Sequence, residues 1–153
     1  MNEPAEIRAA TEADAEALQR LYQALSPDNL PIAEAAARQI ITATGRYPGS
    51  AILVAELAGQ LAASATLIVI PNLTRGGRPY GLIENVITDP AHRRRGLGRA
   101  LLNAATTRAW AHDCYKIMLI TGSRDPATHA FYEAAGFTQS RTGYEQRQWA
   151  TRA

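Results

Sequence analysis

The sequence predicts an α/β domain in which a mixed β-sheet is flanked by helices. Short apolar segments typical of strands alternate with longer segments whose apolar residues recur every three or four positions. Glycine, proline, asparagine and aspartate mark the boundaries between them. The 153 residues show neither an internal repeat nor a linker, so we expect a single domain over residues 1–153.

The first half of the chain is predicted to begin with a strand over residues 6–10. Thr11-Glu12-Ala13-Asp14 then resembles a capping box, and an apolar stripe continues it as a helix to Leu25. A second helix is expected to start near Pro31, a residue suited to a first turn, and to end around Thr44-Gly45. Two strands, over residues 51–57 and 61–70, follow as a hairpin around Ala58-Gly59-Gln60.

The second half is predicted to hold the elements that carry the chemistry. In chain order they are a loop over residues 74–79, a central strand over 80–88, a helix over about 96–112, a strand over 116–121, a helix from about Asp125 to Gly136, and a hairpin of 137–141 with 144–149. The resulting order is β-α-α-β-β-β-α-β-α-β-β.

Composition narrows the class of protein. Hydrophobic residues make up 46% of the chain and charged residues 20%, which favours a packed domain over a disordered one. The net charge of +2 favours anionic ligands without requiring nucleic acid. One cysteine, Cys114, excludes an intrachain disulfide, and Met1-Asn2-Glu3-Pro4 does not resemble a signal peptide. We therefore expect a cytoplasmic protein that does not associate with membranes.

The most informative segment runs from Asp89 to Arg99, and we call it the cradle. It follows an apolar strand and contains Arg93-x-x-Gly96-x-Gly98 just before a helix. Glycines permit close approach of the backbone to a ligand, and a helix N-terminus presents free N–H groups to an anion. The cradle therefore predicts a phosphate site, although three consecutive arginines are also compatible with a solvated helix entry.

Two motifs together resemble the GNAT N-acetyltransferase family. The cradle is similar to that family's acetyl-coenzyme A signature, Gln/Arg-x-x-Gly-x-Gly/Ala after the fourth strand. Ala130-Phe131-Tyr132-Glu133-Ala134-Ala135-Gly136-Phe137 resembles its closing motif, an aromatic pair followed by x-x-x-Gly-Phe. The resemblance spans nearly the whole chain and implies a single GNAT-type domain with a splayed sheet.

The resemblance implies that acetyl-CoA is the co-substrate. Backbone N–H groups from about Arg94 to Arg99 would hold its pyrophosphate, with arginine side chains adding charge, and Val86 and Thr88 would pair with its pantetheine arm. The full set of implied cofactor-binding residues is Val86, Ile87, Thr88, Arg93, Arg94, Arg95, Gly96, Leu97, Gly98, Arg99, Asp125 and Tyr132.

Glu84 and Tyr132 are the implied catalytic residues. An amine must lose a proton before it attacks a thioester, and a carboxylate whose pKa is raised by an apolar strand would accept it, directly or through water. Tyr132 would protonate the departing thiolate. Asn85 should point to the opposite face of the strand unless a bulge turns it into the site, so its part in substrate binding depends on a bulge.

The chain departs from the family pattern before the closing motif. Asp125 stands where many members have an asparagine that bonds pantetheine, and Thr128 replaces a small alanine. An aspartate can cap the helix instead, which puts that contact in question. Ser123 and Arg124 lie in the loop near the expected site and are candidates for substrate contact. No residues have metal-ligand spacing, so we expect no metal.

The acceptor amine is the open part of the prediction. Glu84 and the run Cys114-Tyr115-Lys116-Ile117 resemble glucosamine-phosphate N-acetyltransferases, while other small amines, aminoglycosides, amino acids and protein N-termini or lysines remain alternatives. The Arg75-Gly76-Gly77-Arg78 loop is a weak candidate for an anionic substrate. A non-catalytic acyl-CoA-binding module is a rival class. The cradle arginines alone would suggest a nucleic-acid-binding protein, but the sequence lacks interleaved aromatic residues and a wide basic face, so we expect no nucleic-acid partner. A homodimer is expected from the family alone.

Overall fold

A computed structural model describes residues 4–149 of the chain, so the predictions for the first three residues and for residues 150–153 lie outside it. These residues contain one five-stranded sheet. Its strands lie in chain order: β1 (Glu6–Ala9), β2 (Ala51–Leu57), β3 (Gln60–Ile70), β4 (Tyr80–Thr88) and β5 (Ile117–Leu119). The first four pair antiparallel and β5 pairs parallel to β4, which confirms the predicted mixed sheet.

Four α-helices flank the sheet: α1 (Ala15–Leu25), α2 (Glu34–Arg46), α3 (Leu97–Ala111) and α4 (Pro126–Ala134). The capping box is confirmed, because the Asp14 carboxylate accepts the Thr11 N–H at 2.7 Å across a short 3₁₀ turn before α1. The predicted start of α2 near Pro31 is wrong. Residue Ile32 instead donates its N–H to the Gln19 side chain at 2.7 Å, which holds the chain before Glu34 out of the helix.

The two faces of the sheet are covered by different helices. Along β2, Leu53 and Ala55 pack into the cluster that contains α3, whereas Ile52 and Val54 pack against α1 and α2. This alternation is the period of two that a strand buried on both faces requires. Along α3 the fully or nearly buried residues are Leu97, Leu101, Leu102, Ala105 and Ala109.

The predicted C-terminal hairpin is wrong for the residues that the structure describes. Residues 137–149 contain no strand, and β5 is shortened from the predicted 116–121 to Ile117–Leu119. Residues 138–149 are exposed and mostly polar, so they have little apolar surface to bury against the sheet. The position of a Cβ on Gly143 would lie 3.5 Å from the Ile120 side chain, so this segment passes beside the end of β5.

Within residues 4–149, no helix combines the length and the apolar character needed to cross a membrane.

Candidate active site

The site lies where β4 and β5 separate. Their parallel pairing ends at Ile83 and Leu119, and beyond these residues the two chains diverge around an opening of about 250 Å³. Ten residues line it: Leu25, Ile83, Glu84, Asn85, Val86, Leu119, Ile120, Thr121, Gly122 and Tyr132. The predicted splay of the sheet is therefore confirmed, and it brings the two predicted catalytic residues to one cavity.

A β-bulge in β4 places both Glu84 and Asn85 at this opening. Thr66 pairs with Glu84 and Ser64 with Ile87, so one residue of β3 faces two of β4. Asn85 adopts a left-handed backbone with φ of 53°, a conformation that asparagine tolerates better than most residues. The bulge on which the role of Asn85 depended is thus present.

The same bulge corrects one part of the argument for Glu84. The side chain was expected to be desolvated within an apolar strand, but both Glu84 and Asn85 are exposed. Burial therefore does not prepare this carboxylate as a base. Its position at the opening and its access to water are the features that support Glu84 as the base.

Tyr132 reaches the opening from α4 on the other side. Its half-buried ring packs against Phe131 at 5.1 Å and Phe137 at 6.4 Å between ring centroids. Burial raises the pKa of the Tyr132 phenol, and the negative charge of Glu84 raises it further. The phenol therefore keeps its proton at neutral pH, as a general acid must.

The cradle presents a row of backbone donors at the N-terminus of α3. The Asp89 carboxylate accepts the Ala91 N–H at 2.8 Å and fixes a 3₁₀ turn, after which Arg94 and Gly96 adopt left-handed φ values of 63° and 76°. Among residues 4–149, none accepts a hydrogen bond from the N–H groups of residues 94 to 99. Such donors at a helix N-terminus bind anions.

The two glycines of the cradle have different roles. A Cβ on Gly96 would meet open space, and its left-handed backbone is what favours glycine there. A Cβ on Gly98 would lie 3.1 Å from the Phe131 ring, so this glycine allows α3 to approach α4. Only Gly96 therefore fits the predicted role of close approach to a ligand.

The other cofactor-binding residues predicted in β4 and the cradle can contact a ligand either through the backbone or through the side chain. Ile87 and Leu97 are 7% and 5% exposed, so their side chains belong to the interior and only their backbone can contact a ligand. Val86 and Thr88 are partly buried at the free side of β4. The side chains of the cradle arginines are exposed and available to phosphates: Arg93, Arg94, Arg95 and Arg99.

The loop before α4 is held by its own hydrogen bonds. Asp125 caps α4 by accepting the Ala127 N–H at 2.9 Å, as the alternative interpretation proposed. The Ser123 hydroxyl accepts the Asp125 N–H at 3.2 Å and lies 3.1 Å from the Thr128 hydroxyl. Ser123, Arg124 and Asp125 do not line the opening, so their predicted ligand contacts have no support from its geometry.

Sequence reasoning missed a second opening, of about 190 Å³, on the α1 side of β4. Its lining residues, which we call the acceptor groove, are Gln19, Tyr22, Asn29, Leu30, Pro31, Ile32 and Asn85. These residues come from α1, the loop after it and the β4 bulge. Because these residues are far apart along the chain, no motif with fixed spacing marks the surface. The Ser26-Pro27-Asp28-Asn29 segment predicted only the end of a helix.

Two remaining candidates do not reach either opening. Arg75 stacks 5.7 Å from the Tyr115 ring centre and Arg78 lies 3.7 Å from Asp113, so both interact locally. Cys114 is buried, and burial raises the pKa of its thiol, which fits an apolar side chain of the interior rather than a nucleophile. Among residues 4–149, no cluster of three or more His, Cys, Asp or Glu side chains could hold a metal ion.

A splayed mixed sheet with an anion-binding cradle after β4 defines the class of fold, and comparison with known proteins identifies the family. The family described as Acetyltransferase (GNAT) matches residues 9–137. The chain therefore belongs to the GNAT acetyltransferase family, and the predicted membership is confirmed.

Individual relatives agree with this assignment. The chain is 39% identical over 79 residues to glucosamine 6-phosphate N-acetyltransferase of Trypanosoma brucei brucei, covering 52% of each protein. It is 30% identical to aminoglycoside N(6′)-acetyltransferase type 1 of Stenotrophomonas maltophilia, covering 88% of this chain and 86% of that protein. The predicted resemblance to glucosamine-phosphate N-acetyltransferases is confirmed, but the match spans only about half the length of three of the curated relatives with that name.

A solved structure from Agrobacterium tumefaciens str. C58, provisionally described as an acetyltransferase, matches more of the chain. It is 45% identical, with a TM-score of 0.87, and the match covers 94% of this chain and 99% of that one.

Proposed function

We propose that this protein is an N-acetyltransferase that moves the acetyl group of acetyl-CoA to a primary amine of a small molecule. The observation that carries the proposal is a juxtaposition of two features. The cradle, whose N–H groups at residues 94–99 are unbonded, directly follows the strand that carries Glu84, and its Gly98 packs against Phe131, the neighbour of Tyr132 in α4. A cradle alone would support binding, whereas a carboxylate and a protonated phenol that line one opening support proton transfer.

The donor would lie along β4. The cradle N–H groups would bind the pyrophosphate of acetyl-CoA, and Arg93, Arg94, Arg95 and Arg99 would add charge around its phosphates. The backbone of Val86 and Thr88, beyond the last pair with β5, would hydrogen-bond the pantetheine arm as an added strand. The thioester would then reach the opening near Glu84.

The chemistry would proceed by direct attack in a complex of both substrates. Glu84 accepts a proton from the ammonium, directly or through water. The neutral amine attacks the thioester carbonyl, and the N–H near Val86 stabilises the oxyanion. The C–N bond forms, and the nitrogen releases its second proton to solvent as the C–S bond breaks. Tyr132 gives its proton to the leaving sulfur and takes up another from solvent. Holding both substrates together supplies the proximity advantage without an acyl-enzyme.

A coupled assay tests the proposal. Thiol release from acetyl-CoA is measured over a panel of amino sugars, aminoglycosides, amino acids and peptide N-termini, and mass spectrometry identifies the acetylated product. We expect turnover on a small amine. Binding of acetyl-CoA without turnover on any amine would favour a non-catalytic acyl-CoA-binding module, and turnover on peptides alone would favour a protein acetyltransferase.

We also propose a homodimer in the cytoplasm. Within the described part of the chain, β5 pairs with β4 only, and next to it Ile120 is 67% exposed while the segment 138–149 is exposed throughout. That segment would pair with the free edge of β5 in a second copy. Light scattering should give twice the chain mass, and a chain ending at Gln139 should give a monomer.

The cytoplasmic location is supported by Cys114, because a free thiol suits a reducing compartment.

A further inference from the structure

The acceptor groove adjoins the catalytic opening at a single residue. Asn85 lines both openings, and it follows Glu84 directly in the bulge of β4. An amine placed beside Glu84 would therefore leave the rest of its molecule next to Asn85. That remainder would extend into the groove, which lies next to Asn85 in the part of the chain that the structure describes.

Two side chains of the groove are fixed by the backbone around them. The Gln19 carbonyl oxygen accepts the Ile32 N–H at 2.7 Å, so its NH₂ group is left as a donor. The Asn29 NH₂ group donates to the Tyr22 carbonyl at 2.6 Å, so its side-chain oxygen is left as an acceptor. These bonds assign the orientation of both amides. The groove therefore presents a preset donor and a preset acceptor.

The rest of the lining is apolar or aromatic. Leu30 is 69% exposed and Ile32 is 47% exposed, while Tyr22 contributes a half-buried aromatic side chain. None of the seven described residues that line the groove carries a charge. Neutral hydrogen-bonding groups beside apolar walls match a ring that has hydroxyl groups on its edge and C–H groups on its faces.

We propose that the acceptor groove binds the body of the acceptor and selects an amine whose remaining part is uncharged and bears hydroxyl groups, with Gln19, Asn29 and Asn85 as specificity-determining residues. One hydroxyl would accept a hydrogen bond from the Gln19 amide, and another would donate to the Asn29 side-chain oxygen. This inference rests on the proposed function for the position of the reacting amine. It goes beyond that function by fixing the chemical class of the acceptor.

Three amines with rings of similar size distinguish the contributions of hydroxyl groups and of a phosphate: glucosamine, glucosamine 6-phosphate and cyclohexylamine. Turnover and ligand-observed NMR binding are measured for each. We expect glucosamine to have a lower KM and a lower Kd than cyclohexylamine, and the phosphate to add nothing. Equal binding of cyclohexylamine, or preference for glucosamine 6-phosphate by more than about tenfold, would overturn the proposal.

Variants test the residues themselves. Gln19→Met keeps the length of the side chain and removes both its NH₂ donor and the oxygen that accepts the Ile32 N–H, so the KM for glucosamine should rise about 3- to 10-fold with kcat and the KM for acetyl-CoA unchanged. Asn85→Gly keeps the left-handed backbone, and we expect a similar rise. Gln23→Met, on the exposed face of α1, is the matched control. A glucosamine KM that neither variant changes would contradict the proposal.

The binding arm separates failure of the groove from failure of the proposed function. Glucosamine binding that depends on Gln19, without turnover of any amine, would support the groove and contradict the acetyltransferase assignment. Turnover of glucosamine that is insensitive to Gln19 and Asn85 would do the reverse.

Discussion

The cradle and the acceptor groove are built in opposite ways. The cradle is one continuous segment, and its ligand-facing groups are backbone N–H groups whose direction is fixed by Arg94, Gly96 and the start of α3. The groove draws side chains from α1, the following loop and the β4 bulge. A site built from the backbone of one segment leaves a motif in the sequence, whereas a site built from side chains of separate segments does not.

Glu84→Gln should separate binding from chemistry most strongly. The substitution preserves the shape of the side chain and removes its ability to accept the amine proton, so kcat should fall about 10²- to 10⁴-fold. The KM for acetyl-CoA should stay unchanged, because the cradle is intact. Steady-state kinetics checks this, with Glu133→Gln, an exposed position on α4, as the control. A kcat within twofold of the wild type would remove Glu84 from the mechanism.

Tyr132→Phe tests the acid on the other side of the opening. Packing against Phe131 and Phe137 is retained, so the loss should be confined to the proton, and we expect kcat to fall roughly 10- to 100-fold.

The pH profile adds a second readout for Tyr132. A general acid works only while protonated, and its raised pKa extends that range upward. Wild-type kcat should therefore fall only above the pH range in which an ordinary tyrosine titrates, and Tyr132→Phe should lack this alkaline fall. The same alkaline limb in both proteins would assign it to another group.

Gly96→Val tests the cradle without touching the acceptor side. A side chain in this left-handed conformation costs about 1–2 kcal/mol, so the cradle of the variant should relax to another conformation, and restoring the binding geometry would cost roughly 5- to 30-fold in affinity. Calorimetry should show weaker CoA binding by at least that factor. Gly76→Val is the matched control, because Gly76 has a similar φ of 70° with open space around it, outside the cradle. Equal loss in both variants would indicate general destabilisation instead.

Gly98→Ala should give the smallest effect, and it sharpens the difference between the two glycines. The added methyl group would lie 3.1 Å from Phe131, so we expect a loss of about 1 kcal/mol in the free energy of unfolding, because crowding outweighs the gain in helix propensity. Affinity for CoA should not change. Denaturant unfolding beside calorimetry measures both, and weaker CoA binding at unchanged stability would make Gly98 a ligand contact after all.

The sequence was sufficient for the central elements of the fold because their signals are local. The strand at residues 80–88 and the helix after Gly96 follow from apolar periodicity and a glycine, and both are confirmed. Strands at the end of the chain could not be predicted in the same way. Residues 137–149 include aromatic and β-branched residues that favour strands, but whether they pair depends on a partner edge rather than on their own sequence.

The candidate site was predictable to a similar extent. Glu84, Tyr132 and the cradle were found through motifs, and Glu84 and Tyr132 line one opening. The exposure of Glu84 was not predicted, because it depends on a single extra residue in β4. Gln19 and Asn29 were not found either, since their role follows from hydrogen bonds to a loop that only the fold brings together.

One NMR titration tests the contrast between the cradle and the acceptor groove most directly. A ¹⁵N-labelled chain is titrated first with CoA and then with glucosamine, and both backbone and side-chain amide signals are followed. We predict that CoA shifts the backbone amides of residues 94–99 most, and that glucosamine then shifts the side-chain amides of Gln19, Asn29 and Asn85. Backbone signals of the cradle unmoved by CoA, or side-chain signals of the groove unmoved by a sugar that is acetylated, would contradict the account.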